Sequence, residues 1–256
     1  MNGGDSGSAA EGAAPTWDIA VAKVLRHGQT RFELDVRFTS AARRVVVYGP
    51  SGAGKTLTLR MIAGITQPDR GRIAVAGHVL GDSAAGHWLA PRERHLAYMF
   101  QDYALFPHLT VRQNIAFARR RGWRNPDRNP GRNPRPDSAD AAVERWIATF
   151  HLAPVAAHYP HQLSGGQRQR TALARALVSE PRALLLDEPF AALDTGLRRR
   201  LRQELLELQQ QLGLPMMVIT HDEEEVRVLA EQVIPMHAGR VVLGMAPGDI
   251  AAAVPA

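Results

Sequence analysis

The most constraining feature of the sequence is a glycine-rich segment, residues 49–56, that lies between a β-branched apolar run and a helical pattern. The run at residues 45–48 is typical of a buried strand. Apolar residues recur at helical spacing after the segment, so it joins a strand to the N-terminus of a helix. Its glycines let backbone N–H groups turn inward, where phosphate oxygens bind. The pattern predicts a nucleoside triphosphate site made of Gly49, Pro50, Ser51, Gly52, Ala53, Gly54, Lys55 and Thr56.

Two side chains of this segment suit a triphosphate that carries Mg²⁺. Lys55 would reach the β- and γ-phosphates, and the Thr56 hydroxyl would ligate the metal. A chance glycine-rich turn is the alternative, which the preceding strand and the following helix disfavour. We therefore expect a nucleotide and Mg²⁺ as cofactors, with Lys55 also stabilising charge during hydrolysis.

Two further apolar runs end in ionisable side chains. Residues 183–186 lead to Asp187 and Glu188, and residues 215–220 lead to His221. In an open parallel sheet, ligands bind beyond the carboxyl ends of the strands. We expect Asp187 to hold the Mg²⁺ shell and Glu188 to act as the general base for water. His221 is expected to contact the γ-phosphate, a satisfied loop histidine being the alternative.

A second possible anion site follows more than a hundred positions after the first. Residues 163–167 read Leu-Ser-Gly-Gly-Gln and precede a helical stretch rich in Arg and Ala. Together with the glycine-rich segment at 49–56, this second segment makes the sequence resemble the ATP-binding subunits of ABC transporters. The resemblance runs from about residue 19 to residue 250. The motifs occur in the family's order: Walker A at 49–56, the Q-loop at Phe100 and Gln101, the signature at 163–167, Walker B at 183–188, the D-loop at 192–194 and the switch histidine His221.

The resemblance implies an α/β fold, namely a P-loop NTPase core. It would have a mostly parallel sheet with helices on both faces, an antiparallel β edge and an inserted helical subdomain. We expect a disordered leader at residues 1–16 and a single ATPase domain at 17–250, with the helical subdomain at about 102–180. The chain ends soon after Gly244, so no C-terminal regulatory domain is expected.

The resemblance also implies that ATP is shared between two subunits. A homodimer, or a pair with another cassette subunit, would enclose two MgATP. The signature of one subunit would cover the γ-phosphate bound by the other, and Gln101 would contact Mg²⁺ or the attacking water. The residues expected to complete the nucleotide site in this way are Ser164, Gly165, Gly166, Gln167 and Asp194.

Transport partners follow from the same resemblance. Residues 103–107 are apolar and turn-like, and an exposed patch there would receive transmembrane permease subunits; core packing is the alternative. The protein would lie peripherally on the cytoplasmic face of the inner membrane, with an external solute-binding protein as an indirect partner. The stretch from residues 91–94 through 106–111 resembles importers for molybdate, sulfate, iron and polyamines. Within that set it is closest to the molybdate and sulfate ATPases. An exporter ATPase and a non-transport ABC ATPase are the alternatives.

The net charge of +6 does not point to nucleic acid. Much of the excess lies at residues 119–135, where Arg-Asn-Pro recurs, and repeated Pro predicts a loop at 121–137. A solvated insertion explains this loop, with contact to lipid headgroups or the permease as the alternative. Nucleic-acid binding would require aromatic platforms among the basic residues.

Three positions depart from the family's pattern. The D-loop begins with Ala191 where serine is common, which removes one hydroxyl from the seam between subunits. Before the Walker A loop, only His27 or Phe32 could stack on adenine, and Phe32 alternates with apolar residues like a core residue. Pro235 interrupts a late strand and predicts an edge position or a bulge.

Overall fold

The computed structural model describes residues 15–28, 30–118 and 136–242, which form one mixed sheet with helices on both faces. The strands are β1 (Trp17–His27), β2 (Thr30–Ser40), β3 (Arg44–Tyr48), β4 (Arg70–Val75), β5 (His78–Asp82), β6 (His87–Trp88), β7 (Leu96–Met99), β8 (Ala183–Asp187), β9 (Met216–Thr220), β10 (Gln232–His237) and β11 (Arg240–Val241). The helices are α1 (Lys55–Ala63), α2 (Val111–Phe117), α3 (Pro136–Thr149), α4 (Gly165–Leu177), α5 (Thr195–Leu212) and α6 (Glu223–Leu229). Within these ranges no helix combines the length and apolar character needed to cross a bilayer.

The sheet joins a parallel half to an antiparallel half. Its strand order is β6-β5-β4-β1-β2-β11-β10-β3-β9-β8-β7. The run from β10 to β7 is parallel, whereas β1, β2, β4, β5 and β6 pair antiparallel. The predicted P-loop core and antiparallel β edge are therefore confirmed.

Strand β3 is apolar after Arg44 because residues 45–48 are buried on both faces of the sheet. Val45 and Val47 pack in a cluster with α1 and the antiparallel strands. Val46 and Tyr48 face the opposite cluster, which contains side chains from α2 to α6. This two-sided burial explains why the sequence shows a continuous apolar run here and not an alternating one.

The segment after β7 is held by a buried amide. Asn114 of α2 accepts a hydrogen bond from the Phe106 N–H (2.9 Å) and donates to the carbonyls of Phe106, Leu109 and Thr110. The prediction that residues 103–107 form an exposed patch is only partly right, because Tyr103 is 4% exposed. Phe106 is half-buried: its ring packs on that of Phe117, and the Arg175 guanidinium lies over it.

Most of the predicted leader and of the predicted loop lies outside the described residues. The last residue of the leader, Thr16, belongs to the fold, since its hydroxyl donates to the Ala41 carbonyl (3.0 Å) and its carbonyl accepts from the Ala76 N–H. The last two residues of the predicted loop, 136 and 137, are helical, because α3 begins at Pro136. Proline is tolerated there since the first residues of a helix need no N–H partner.

The prediction of an edge position for Pro235 is wrong, because β10 lies between β3 and β11. The Pro235 carbonyl accepts from the Val242 N–H (2.9 Å), so its nitrogen also faces the β11 side. Strand β11 contains only two residues, and the missing proline N–H therefore removes little pairing.

A buried guanidinium group caps the C-terminal end of α1, the helix that follows the glycine-rich segment. Arg94 is 2% exposed, and its Nη1 donates to the carbonyls of Met61 and Ile62 at the end of α1. Its Nε donates to the Leu89 carbonyl, and burial lowers the pKa of Arg94 to about 10. A Cβ at Gly64, which follows α1, would lie 2.5 Å from the Arg94 Nε.

We expect Arg94→Met to lower the free energy of unfolding by about 2–3 kcal/mol, because the α1 carbonyls would lose their buried partner. Urea unfolding of the purified chain measures this. The control is Arg92→Met, whose side chain is 82% exposed and whose loss should cost under about 0.5 kcal/mol. Equal losses in both variants would contradict the structural role of Arg94.

Candidate nucleotide-binding site

The glycine-rich segment surrounds a buried ammonium group. Lys55 begins α1 and is 5% exposed, and its Nζ donates to the carbonyls of Gly49 (2.7 Å) and Pro50 (2.9 Å). Burial lowers the pKa of Lys55, while the charges of Glu188 and Asp187 oppose that shift. The loop thus holds a positive charge at the helix N-terminus, where an anion is stabilised.

The backbone of this loop requires glycine where other chain segments approach. A Cβ at Gly49 would lie 2.1 Å from the Met236 carbonyl oxygen. Gly54 has φ +95°, and a Cβ there would lie 2.8 Å from a Leu34 methyl group. Of the remaining loop residues, Ser51 and Gly52 are exposed and Ala53 is buried. The exposed side of the loop therefore lies at residues 51 and 52.

The Thr56 hydroxyl and the Asp187 carboxylate meet at the end of β8. Thr56 Oγ1 lies 2.9 Å from Asp187 Oδ1, and the Tyr98 hydroxyl lies 2.8 Å from Asp187 Oδ2. Burial and the Asp187 charge raise the pKa of Tyr98. Hydroxyl and carboxylate oxygens are hard ligands, and Mg²⁺ is commonly held by one or two carboxylates together with phosphates. The donor set at Thr56 and Asp187 therefore fits Mg²⁺.

Three polar side chains converge beside this pair. His221 Nδ1 lies 3.3 Å from Glu188 Oε1, and Gln101 Nε2 lies 3.4 Å from Glu188 Oε2. Glu188 has φ +46°, in the left-handed region, and its N–H donates to the Ile219 carbonyl (3.0 Å). The turn after β8 thus directs the carboxylate toward the ends of β7 and β9.

A group of ion pairs fixes the turn that carries His221. Asp222 Oδ2 accepts from Arg198 Nη1 (3.1 Å) and from the buried Arg202 (3.1 Å). Asp222 Oδ1 accepts from the N–H groups of Glu224 and Glu225 and so caps α6. Burial acts to raise the pKa of Asp222, but these hydrogen bonds and the Arg202 charge outweigh it and lower the pKa below its ordinary value.

The signature segment begins α4 with a capping box. The Ser164 Oγ accepts from the Gln167 N–H (3.3 Å), and the Gln167 side chain accepts from the Ser164 N–H (2.9 Å). The N–H groups of Gly165 and Gly166, in the first turn, have no partner within the helix. They and the Ser164 hydroxyl proton could bind an anion.

The D-loop residue Asp194 is a helix cap. Its Oδ1 accepts from the Leu197 N–H (3.0 Å) at the start of α5. The preceding Leu193 contacts the signature helix, since a Cβ at Gly165 would lie 3.0 Å from Leu193 Cδ2. In the described part of the chain, no hydrogen bond or ion pair joins Ser164–Gln167 or Asp194 to the loop at 49–56.

Which residue stacks on the adenine ring stays a prediction. His27 is exposed at the end of β1, and Phe32 is half-buried against the core and against Gly54.

The sequence analysis did not identify Tyr98, Arg198 and Arg202 as residues of the site. Tyr98 gave only a weak signal, a hydroxyl within an apolar run, and the two arginines lie in a helix whose leucine pattern predicts only packing.

We expect Asp222→Asn to lower the free energy of unfolding by about 2 kcal/mol at pH 7, because two guanidinium groups lose a charged acceptor while the α6 cap is kept. The folded pKa lies below the ordinary value of 3.8, so this stabilisation is present above about pH 4 and is lost as pH falls through the folded pKa. Urea unfolding from pH 7 to pH 3 measures it. Glu207→Gln, on the exposed side of α5, is the control, and a difference that stays constant with pH would contradict the assignment.

The chain is similar to several import ATP-binding proteins. The iron(III) import ATP-binding protein FbpC of Pseudomonas fluorescens is 44% identical over 82% of this chain and 55% of its own length. The sulfate/thiosulfate import protein CysA of Synechococcus elongatus is 42% identical over 80% of this chain and 55% of its own length. The spermidine/putrescine import protein PotA of Chromobacterium violaceum is 43% identical over 75% of this chain and 49% of its own length. The chain spans about half the length of these curated relatives.

A solved structure and a family model agree with these relatives. The dimeric post-hydrolysis state of the ATP-binding cassette MJ0796, bound to ADP and Pi, has a TM-score of 0.70 and 27% identity, covering 88% of this chain and 95% of that chain. The model of the ABC transporter family matches residues 35–191, which is more than half of the chain. The chain belongs to the ABC transporter family.

Proposed function

We propose that the chain is the ATP-hydrolysing subunit of an ABC importer. The observation that carries the proposal is the convergence of Lys55, Thr56, Asp187, Glu188 and His221 at the ends of three neighbouring strands. The relatives' role as import ATP-binding proteins supports the direction of transport. The domain would comprise residues 17–250, with residues 102–180 as its helical subdomain.

ATP would bind with its phosphates in the loop at residues 49–56. The inward N–H groups and the buried Lys55 ammonium would hold the β- and γ-phosphates. Thr56 and Asp187 would hold Mg²⁺, with Gln101 beside them, and the metal when bound would neutralise phosphate charge. Lys55 would change partners from the Gly49 and Pro50 carbonyls to phosphate oxygens, which keeps its buried charge compensated.

Glu188 would accept a proton from the water that attacks the γ-phosphate. Its carboxylate is held between His221 and Gln101, at 3.3 Å and 3.4 Å, so its orientation is restricted before substrate arrives. His221 would contact the γ-phosphate through the side of its ring that faces away from Glu188. The role of these side chains is therefore to orient the water and to receive its proton.

Hydrolysis would take place between two subunits. The segment at residues 164–167 offers an anion site of its own and, among the described residues, forms no hydrogen bond or ion pair with the loop at 49–56. A partner subunit would place its Ser164, Gly165 and Gly166 over the γ-phosphate, with Asp194 at the seam between subunits. The dimeric forms of the solved MJ0796 cassette support this arrangement.

A transmembrane permease would receive the motion of the dimer. Gln101 touches the catalytic carboxylate and begins the segment that carries the half-buried Phe106 and the exposed Phe117. The subunit would lie peripherally on the cytoplasmic face of the inner membrane, with an external solute-binding protein as an indirect partner. The solute would be an oxyanion such as molybdate or sulfate, and the sulfate/thiosulfate relatives support the oxyanion class.

We expect Glu188→Gln to bind ATP with unchanged affinity while turnover falls about 100-fold or more, because the water loses its general base. The variant should form a stable dimer with ATP and Mg²⁺. Phosphate release measures turnover, and sedimentation of the variant with and without ATP measures association. A Glu188→Gln chain that stays monomeric with saturating MgATP would remove the main support for the shared site.

A second substitution in the Glu188→Gln chain separates binding from association. Adding Ser164→Arg should preserve ATP binding but prevent the dimer, because the large side chain would occupy the anion site at α4. Adding Thr39→Arg at an exposed position of β2 is the matched control and should leave the dimer intact. Association in both double variants would contradict the role of the signature segment.

Partners can be identified with the same trapped variant. Tagged Glu188→Gln protein, purified from its native membranes with ATP, should recover a multi-span permease whose operon encodes a solute-binding protein. The ligand of that binding protein names the solute, and an oxyanion is expected. Recovery of a permease without a binding protein would favour export instead.

A further inference from the structure

The Tyr98 hydroxyl lies against the Asp187 carboxylate on the side opposite Thr56. Tyr98 pairs with Leu185 in register between β7 and β8, so it shares a face with Asp187 two residues further along. Its hydroxyl is 2.8 Å from Asp187 Oδ2, while Thr56 Oγ1 is 2.9 Å from Asp187 Oδ1. The two carboxylate oxygens are therefore held by side chains from different elements.

The direction of the Tyr98 hydrogen bond follows from its partner. An ionised carboxylate can only accept, so the Tyr98 hydroxyl donates its proton to Asp187 Oδ2. The ring of Tyr98 is half-buried and packs against Phe100 with centroids 4.5 Å apart, which restricts its movement.

Two elements therefore act on Asp187. Thr56, in the first turn of α1, binds one carboxylate oxygen, and Tyr98 of β7 binds the other. With both oxygens engaged, rotation of the carboxylate about its Cβ–Cγ bond is restricted before any metal arrives.

We propose that Tyr98 is a positioning residue that orients Asp187 as a ligand of Mg²⁺; this rests on the proposed function, in which Asp187 holds the metal. A side chain that orients a metal ligand reduces the entropy that the ligand loses when the metal binds. The increase in nucleotide affinity that Mg²⁺ causes should then depend on the Tyr98 hydroxyl. The phosphate contacts made by the loop at residues 49–56 should not depend on it.

The test is a titration of purified full chain with a fluorescent ADP analogue over a range of Mg²⁺ concentrations and in EDTA. Tyr98→Phe should need about 10-fold more Mg²⁺ for half of the metal-dependent gain in affinity, a typical effect for a residue that supports a metal ligand. Its affinity in EDTA should equal that of the wild-type chain. Tyr159→Phe, which removes an exposed hydroxyl, is the matched control and should shift neither quantity.

An unchanged Mg²⁺ requirement in Tyr98→Phe would overturn the inference. An equal loss of affinity in EDTA would also overturn it, because Tyr98 would then shape the phosphate loop. Absence of Mg²⁺-dependent ADP binding in the wild-type chain would instead overturn the proposed function itself.

Discussion

The site depends on three parallel strands that end at the same level. Tyr48 at the end of β3 pairs with Thr220 at the end of β9, and Asp187 at the end of β8 pairs with Ile219. Because neighbouring parallel strands lie less than about 5 Å apart, side chains that follow these ends lie within reach of one another. Residues separated by more than a hundred positions in the chain thereby become neighbours. A shift of one residue in either pairing would turn the side chains to the opposite face and separate them.

Charges at this edge of the sheet are already compensated within the protein. Lys55 is held by two carbonyl groups of its own loop, and Asp187 by two hydroxyl groups. Asp222 combines two guanidinium groups with the cap of α6, so the turn that carries His221 is tied to α5. Lys55 and Asp187 are held by partners that a phosphate or a metal could replace or supplement. Their side chains are therefore oriented before a ligand binds.

Local patterns predicted several of the elements and the residues of the candidate site that follow them. The loop at residues 49–56, the two later strand ends and the helix Thr195–Leu212 are all visible because glycine positions, apolar runs and leucine spacing are local signals. The contact of Tyr98 with Asp187 depends on which strand lies beside β8, and no local pattern carries that information. The same applies to Pro235, whose tolerance inside the sheet follows from the shortness of β11. Tyr103 was misplaced in part because an apolar segment at a turn can face either the core or a partner.

The left-handed backbone of Glu188 has a further consequence for how this turn can vary. A residue with a Cβ in this conformation costs about 1 kcal/mol or more relative to the right-handed region, whereas glycine has almost no such penalty. Folding alone would therefore favour a small flexible residue at this position over glutamate. The turn therefore carries a carboxylate at a conformational cost, and the proposed role of Glu188 as general base would explain why glutamate and not glycine stands at this position.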